Sequence, residues 1–275
     1  MSWDLPQNII SATVELEQRQ IDGRSTVGTG FLVSDPAPDG RPRTVLVTAN
    51  HVFERMHLTQ AQVGYRVQTK DGGWRYAPEL IVIRDGDKAL WRSDPAHDVA
   101  VIEVKVPAAF AKAAIPLSWL AGEDTFSKYS VGQGDEMMVL GYPQGLAANT
   151  AGFPILRSGR VASPIEAAAA NPNFLLDFRV FPGNSGGPVF LVDAARRLSG
   201  DPEAVQVVAG MLTQQVELDD ERLEIGVVTD ALFIREAIGL LDRPGEPERA
   251  PASPPSAPVT LTSDASAVVG HVTPD

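Results

Sequence analysis

Short apolar runs separated by turn residues recur along most of the chain. The runs VGTGFLVS (27–34) and TVLVTA (44–49) are rich in β-branched residues, and the segment between them is rich in Pro, Gly and Asp, which is typical of a β-hairpin. Comparable runs occupy residues 63–70, 79–85, 98–104, 135–143, 155–163, 173–180, 187–192, 205–217 and 223–228. Because strands and helices do not alternate, the pattern predicts an all-β protein of the sandwich or barrel type.

Only two stretches have a helical pattern. One is short, at residues 52–55. The other begins at Thr229 and Asp230, which can cap a helix, and ends before Pro244. Its apolar residues follow the i, i+3, i+4, i+7 spacing of one buried face: Ile234, Ala237, Ile238 and Leu241.

The composition divides the chain into two halves and a tail. The segment 105–130 is the natural crossing between the halves, so we expect an N-terminal lobe at 1–115 and a C-terminal lobe at 116–243. From residue 244 the chain has six Pro within 15 positions and few large apolar residues. The segment 244–275 is therefore predicted to be a disordered tail.

Charge and residue usage narrow the function classes. The formal net charge is −12 and the sequence pI is about 4.8, which argues against nucleic acid and anionic membranes as partners because both need a basic face. The chain has no Cys, and this fits a reducing cytosol. The first 20 residues do not have the pattern of a signal peptide, and no apolar run approaches the roughly 20 residues of a membrane span. We therefore expect a cytoplasmic protein.

The stretch FPGNSGGPVF (181–190) contains a candidate nucleophile, Ser185. A serine hydroxyl needs a base, a group that orients the base, and donors for an oxyanion. The segment GNSGG also fits the nucleophile elbow of α/β-hydrolases, in which the histidine follows the serine. Only His271, in the tail, follows Ser185, and the chain lacks the βαβ pattern of that fold. A layout with the histidine and the acid before the serine fits better.

Two residues before Ser185 complete such a layout. His51 follows a predicted strand in TANHV, and Asp98 begins the apolar strand of HDVAVIEV. The long gaps between these motifs allow the histidine and the acid to lie on one lobe and the serine on the other. Asp94 is a weaker candidate because no apolar strand follows it, and His97 is predicted to be a solvated turn residue. His57 falls in or just after the short helix.

The motifs VGTGFLVS, VTANHVF, HDVAVIEV, GDEMMVLGYPQG and FPGNSGGPVF occur in an order that resembles the trypsin-like (chymotrypsin-fold) serine proteases. The likeness is to the bacterial, cysteine-free kind, to which HtrA protease domains also belong, and it covers residues 10–242. The resemblance implies two six-stranded antiparallel β-barrels with the active site between them, followed here by the C-terminal helix and the tail.

The resemblance also implies roles for the site residues. His51 would act as general base, Asp98 would orient it, and Ser185 would attack the peptide bond to form an acyl-enzyme. The oxyanion hole would lie at Gly183, Asn184 and Ser185. Each of these residues, taken by itself, would more often have a structural role. Catalysis is favoured because they occur together and in the order of the family.

Two departures from trypsin affect regulation and specificity. Trypsin-type zymogens have an aspartate before the nucleophile that pairs with a newly cut N-terminus, and Asn184 cannot form that ion pair. We therefore expect no activation by clipping, and we expect any regulation to come from loop ordering by substrate or by a partner protein. Trypsin also has an aspartate six residues before the nucleophile, where this chain has Arg179, so a preference for basic side chains is not supported.

The predicted specificity pocket is apolar. The strand at 207–215 would form one wall and would pair with the substrate backbone. The residues expected at the pocket are Arg179, Val180, Met211, Leu212 and Thr213. The last three favour a small-to-medium apolar side chain in the substrate.

The sequence leaves three functions open. The first is an endopeptidase that cleaves peptide or protein substrates. The second is a catalytically latent or inactive module of the same fold that binds peptides, and the third is an esterase with the same oxyanion chemistry. We expect no cofactor and no metal, because neither H-E-x-x-H nor a phosphate-binding glycine motif is present.

Overall fold

The computed structural model describes residues 5–20, 23–165, 171–193, 195–196, 205–218, 221–243 and 259–260. The helices are α1 (Leu5–Ala12), α2 (Asn50–Glu54), α3 (Ala108–Ala113), α4 (Thr125–Tyr129) and α5 (Ala231–Gly239). The strands of the first half are β1 (Thr13–Arg19), β2 (Ser25–Ser34), β3 (Thr44–Ala49), β4 (Gln60–Gly64), β5 (Arg66–Gln68), β6 (Trp74–Tyr76), β7 (Glu79–Val82), β8 (Arg84–Asp85), β9 (Lys88–Ala89), β10 (Arg92–Asp94), β11 (Val99–Glu103) and β12 (Ile115–Pro116). Those of the second half are β13 (Glu136–Gly141), β14 (Ile155–Val161), β15 (Asn173–Asp177), β16 (Pro188–Asp193), β17 (Val205–Leu218), β18 (Glu221–Asp230) and β19 (Val259–Thr260).

The N-terminal sheet forms a half-barrel. Its antiparallel strands follow the order β10-β11-β3-β2-β1-β4-β7, and β12 adds to β2 in parallel. Among the described residues, β7 and β10 do not pair, so the two edges stay open. The central strand β3 is buried along nearly its whole length, because its apolar run TVLVTA packs into the core and the strand also contacts β17 of the second sheet.

The C-terminal sheet forms a closed barrel. The order is β16-β13-β14-β15-β18-β17, and pairing of β16 with β17 closes the ring. Alternation places one face of each strand inside. In the first part of β13, for example, Met137 and Val139 are buried, whereas Glu136 is exposed and Met138 is half-buried. The predicted fold class, an all-β protein with a C-terminal helix, is confirmed. The second lobe is the closed six-stranded barrel that the resemblance implies, whereas the first is a half-barrel sheet of eight strands.

The C-terminal helix α5 begins where the sequence predicts. The Asp230 carboxylate accepts a hydrogen bond from the backbone N–H of Leu232 at 2.8 Å and caps the helix. Its buried face, formed by Phe233, Ile234 and Ala237 among others, packs against β10 and β11 of the first sheet and against β17 of the second. The helix therefore contacts both lobes.

Several features differ from the predicted pattern or extend it. The sequence predicted only two helices, so α1, α3 and α4 were not predicted, and neither was β1, although it pairs with β2 over seven residues. Val259–Thr260, within the predicted disordered tail, forms β19 and pairs in parallel with Val216 and Glu217 of β17. The other residues of the tail lie outside the described part of the chain, and the lobe boundary at residue 115 stays a prediction.

None of the helices described is long and apolar enough to cross a membrane.

Candidate active site

His51 lies in the short helix α2, directly after β3. It is only 7% exposed. The preceding residue anchors this helix, since the Asn50 side chain accepts a hydrogen bond from Trp91 Nε1 at 3.0 Å and donates one to Glu54 at 2.9 Å. The position of the imidazole is thus set by packing and by polar contacts on either side of the helix.

Asp98 faces His51 from the start of β11. Its Oδ2 lies 2.7 Å from His51 Nδ1, and its Oδ1 accepts the backbone N–H of His51 at 2.9 Å. Asp98 has φ of 55°, a left-handed conformation that Asp tolerates better than most residues. A carboxylate accepts only, so Nδ1 carries the proton, and the Nε2 of a neutral imidazole is left as an acceptor.

Ser185 lies in a tight turn that two glycines make possible. Gly183 has φ of 93° and Gly186 has φ of 88°, a region that residues with a side chain rarely adopt. A Cβ on Gly183 would lie 2.3 Å from the carbonyl oxygen of Tyr142, and one on Gly186 would lie 1.9 Å from that of Thr29. The glycines therefore also allow the turn to pack against both lobes.

The turn leaves two backbone N–H groups unpaired. The N–H of Asn184 donates to the Phe181 carbonyl at 3.0 Å. Within the described part of the chain, the N–H groups of Gly183 and Ser185 donate to no backbone or side-chain acceptor. Two unpaired N–H groups beside a serine can bind an oxyanion.

The hydroxyl of Ser185 donates to the carbonyl oxygen of Thr213 at 3.1 Å. A hydroxyl has a single proton, so in this structure Ser185 does not donate to His51. Before it could transfer a proton to the imidazole, the Ser185 hydroxyl would have to exchange this hydrogen bond for one to His51.

Further contacts bring the two halves of the site together. The Cβ position of Gly186 lies 3.1 Å from the backbone nitrogen of Ala49, two residues before His51. On the other side, Thr229 Oγ1 lies 3.4 Å from that of Thr213 and donates to the His97 carbonyl at 3.1 Å. The structure therefore collects the three predicted residues His51, Asp98 and Ser185 at the junction of the lobes.

His97 is not the solvated turn residue that the sequence predicted. Its ring stacks on Phe233 with centroids 3.6 Å apart and contacts Asp94 at 2.5 Å. Its side chain is only 24% exposed, because α5 covers this turn. Asp94 thus pairs with His97 and not with His51.

The predicted pocket residues separate into two groups. Val180, Met211, Leu212 and Thr213 are buried. A Cβ on Gly226 would lie 2.9 Å from Leu212 and 3.3 Å from Val180, so apolar side chains surround this glycine closely. Arg179, by contrast, points to the surface, where its side chain is 60% exposed and pairs with Glu224 at 3.2 Å.

Asn184 is 2% exposed, and its side-chain oxygen has no hydrogen-bond partner among the described residues. This amide packs near Gly141. A carboxylate at this position would therefore be buried and, among the described residues, would have no hydrogen-bond donor at the place of the Asn184 oxygen.

The structure holds other features outside the site. A groove of about 800 Å³ runs along β1, β4 and β7, with His57, Tyr76 and Leu80 in its lining. No predicted site residue lines it. In the described part of the chain, no group of three or more His, Asp or Glu side chains could hold a metal ion.

The sequence analysis did not identify the residues that hold the nucleophile turn in place. Thr29, Tyr142 and Gln144 all contact the segment 181–185 through hydrogen bonds or close packing. The motifs VGTGF and GYPQG contain them, but these motifs carry no signal that could have paired them with a turn some 40 to 150 residues away.

Comparisons with known proteins agree with this architecture. The family model described as a trypsin-like peptidase domain matches residues 28–200, more than half of the chain. An HtrA-type protease, AlgW in complex with a tripeptide, is similar in structure, with a TM-score of 0.53 and 17% identity. The match covers 87% of this chain and 63% of that one, so the present chain spans less than two thirds of its neighbour. No curated protein matches the sequence.

The match to the family and the similarity of fold lead to the same conclusion: the chain belongs to the family of trypsin-like peptidase domains.

Proposed function

We propose that this chain is a serine endopeptidase that hydrolyses peptide bonds through an acyl-enzyme. The observation that carries the proposal is the hydrogen bond of 2.7 Å between His51 Nδ1 and Asp98 Oδ2, at the junction where Ser185 and two unpaired N–H groups lie. Histidine oriented by a carboxylate is the base that activates a serine in this chemistry.

In the first step, Ser185 Oγ attacks the carbonyl carbon of the peptide bond while His51 Nε2 takes the hydroxyl proton. The imidazolium then gives this proton to the nitrogen of the leaving amine. Water then enters, loses a proton to His51 Nε2 and attacks the acyl carbon, and the imidazolium returns this proton to Ser185 Oγ as the bond between Oγ and the acyl carbon breaks and the acid leaves. Asp98 keeps Nδ1 protonated and stabilises the imidazolium in both halves of the reaction.

The negatively charged oxygen of the tetrahedral intermediate needs hydrogen-bond donors. The N–H groups of Gly183 and Ser185 would supply them, with the Asn184 peptide between the two. This assignment rests on the finding that neither group is used within the described part of the chain.

Substrate would bind in extended form along β17. Strand β16 pairs with one edge of β17 as far as Met211, backbone hydrogen bonds with Gly186 and Gly187 continue at Leu212, and β19 pairs with residues 216–217. A substrate strand near Ser185 would therefore use the short part of this edge at residues 213–215. The apolar side chains around Gly226 favour a small-to-medium apolar residue before the cleaved bond. Cleavage profiling on a peptide library checks this preference, and dominant Arg or Lys at that position would contradict it.

The first test is covalent labelling by a fluorophosphonate probe, followed by casein hydrolysis on the same samples. We expect the wild-type protein to label and to cut casein, and Ser185→Ala to do neither. Asp94→Asn serves as a matched control, because it alters the neighbouring His–Asp pair. Labelling that persists in Ser185→Ala would contradict the assignment of the nucleophile.

One observation favours a second candidate, a latent or inactive peptide-binding module. The Ser185 hydroxyl donates to Thr213 and not to His51. Catalytic hydrogen bonds often form only in the substrate complex, so substrate or a partner protein that orders the turn would complete the site. Wild-type protein that binds peptides but does not label would support this candidate, and labelling that appears on adding peptide would support activation.

A further inference from the structure

Thr29 belongs to the N-terminal sheet, yet two of its groups make three hydrogen bonds to the C-terminal lobe around the nucleophile. Its backbone N–H donates to the Ser185 carbonyl at 2.9 Å. Its hydroxyl donates to the Gly183 carbonyl at 2.6 Å and accepts the N–H of Tyr142 at 3.1 Å. Thr29 is fully buried, so water does not compete for these bonds.

The hydroxyl is one of three donors that fix the peptides around the oxyanion site. A peptide group is planar, so holding a carbonyl also fixes the N–H of the next residue, which points the opposite way. Three successive carbonyls, those of residues 182–184, each accept a hydrogen bond. In chain order, the donors are the Gln144 N–H at 2.6 Å, the Thr29 hydroxyl at 2.6 Å and the Gly187 N–H at 2.9 Å.

The middle bond holds the peptide that separates the two unpaired N–H groups. Gly183 lies before this peptide and Ser185 after it, so their relative direction depends on how the peptide is turned. Gly183 has no side chain to restrict that rotation. Of the three donors, only that of Thr29 is a side chain, and it is thus the one that substitution can remove.

We propose that Thr29 is a positioning residue for the oxyanion site: from the opposite lobe, its hydroxyl holds the Gly183–Asn184 peptide so that the N–H groups of Gly183 and Ser185 converge. This inference rests on the proposed function. It adds that alignment of the donors depends on contact between the lobes and not on the nucleophile turn alone.

Thr29→Val tests the inference, because it keeps the shape of the side chain and removes the hydroxyl. We expect kcat on a peptide substrate to fall by about tenfold to a hundredfold, less than the full loss of one oxyanion donor, with KM nearly unchanged. Affinity for a peptide aldehyde, which forms a tetrahedral adduct, should fall by a similar factor, while affinity for the matching peptide amide should not. Thr29→Ser, which restores a hydroxyl, should recover most of the activity.

Thr13→Val is the matched control. Thr13 is also a fully buried threonine of the same lobe, and its hydroxyl donates to Ile9 at 2.6 Å, away from the nucleophile turn. It should lower thermal stability but leave kcat and aldehyde affinity unchanged. Equal kcat in Thr29→Val and Thr13→Val would overturn the inference, as would a loss in Thr29→Val that affects the aldehyde and the amide alike.

If wild-type protein neither labels with the probe nor cleaves peptides, the proposed function is contradicted, but the positioning role of Thr29 can still be tested. The backbone amide chemical shifts of Gly183 and Ser185, measured by NMR, provide that test. Changes confined to residues 182–187 in Thr29→Val but absent in Thr13→Val would support its positioning role, and unchanged shifts would overturn it.

Discussion

At the scale of single residues, Asp98 shows how backbone conformation and chemistry combine. Its positive φ of 55° turns the carboxylate back toward α2, where one oxygen reaches the His51 ring and the other reaches the His51 backbone N–H. Most residue types would be strained in this conformation, whereas Asp and Asn adopt it more readily. The position therefore restricts both the shape and the charge of its side chain.

Asp98→Asn should retain the fold and lose activity. Asn tolerates the left-handed conformation, but its NH₂ group can donate to Nδ1 and so favour the tautomer with a proton on Nε2, which cannot accept from Ser185. We expect kcat to fall roughly 10⁴-fold near neutral pH, with an unchanged circular dichroism spectrum. Asp94→Asn, in the neighbouring His–Asp pair, should change kcat little. Similar losses in both variants would contradict the distinct role of Asp98.

At the scale of elements, α5 shows how a helix cap can make stability depend on pH. Asp230 caps the helix by accepting the N–H of Leu232, but burial raises the pKa of its carboxyl from 3.8 to about 6. The folded state therefore binds the Asp230 proton more tightly than the unfolded state does. This contribution to stability is complete below about pH 4 and is lost as the pH rises through about 6.

Asp230→Asn should remove this pH dependence. An asparagine oxygen can still accept the N–H of Leu232, and an amide does not titrate in this range. A pKa change of this size corresponds to about 3 kcal/mol, so the free energy of unfolding of the wild type should fall by up to this amount between pH 4 and pH 7 relative to the variant. Urea unfolding at four pH values measures it, and parallel curves for the two proteins would contradict the prediction.

At the scale of the whole molecule, the two lobes are joined by a buried cation. The Arg66 guanidinium, in a residue only 1% exposed, donates to Tyr142 Oη at 2.9 Å and to the Gly152 carbonyl at 3.0 Å in the second half of the chain. It also donates to the carbonyls of Ile10, Ser11 and Thr13 in the first half. Burial lowers the pKa of Arg66 and, despite the nearby cation, raises the pKa of Tyr142 to about 12.

Arg66→Met should destabilise the protein as a whole. The substitution removes the donor to the Tyr142 hydroxyl oxygen and to several carbonyls, and the single Tyr142 proton can serve only one of these carbonyls at a time. Each buried group left without a partner costs about 1–3 kcal/mol. We expect a loss of at least about 3 kcal/mol in the free energy of unfolding. Arg75→Met, which removes an exposed arginine from the adjacent strand β6, should change it by less than about 0.5 kcal/mol. Equal effects in denaturant unfolding would contradict the role of Arg66 as a link between the lobes.

The sequence by itself determined the class of the fold, because strand periodicity, turn residues and the cap of α5 are local signals. It also determined which residue types occur in which order, so His51, Asp98 and Ser185 could be predicted as candidates. The strand β1 escaped prediction because its alternating TVELEQR lacks the apolar run that marked the other strands.

Only the tertiary structure decided how these residues face one another. The contact of Thr29 with Gly183 joins residues 154 positions apart, and the direction of the Ser185 hydroxyl depends on a strand from another part of the barrel. The exposure of Arg179 and the burial of His97 likewise follow from which surface each turn packs against. Local sequence patterns encode periodicity and turn preference, whereas these contacts depend on the packing of two sheets, which no short segment specifies.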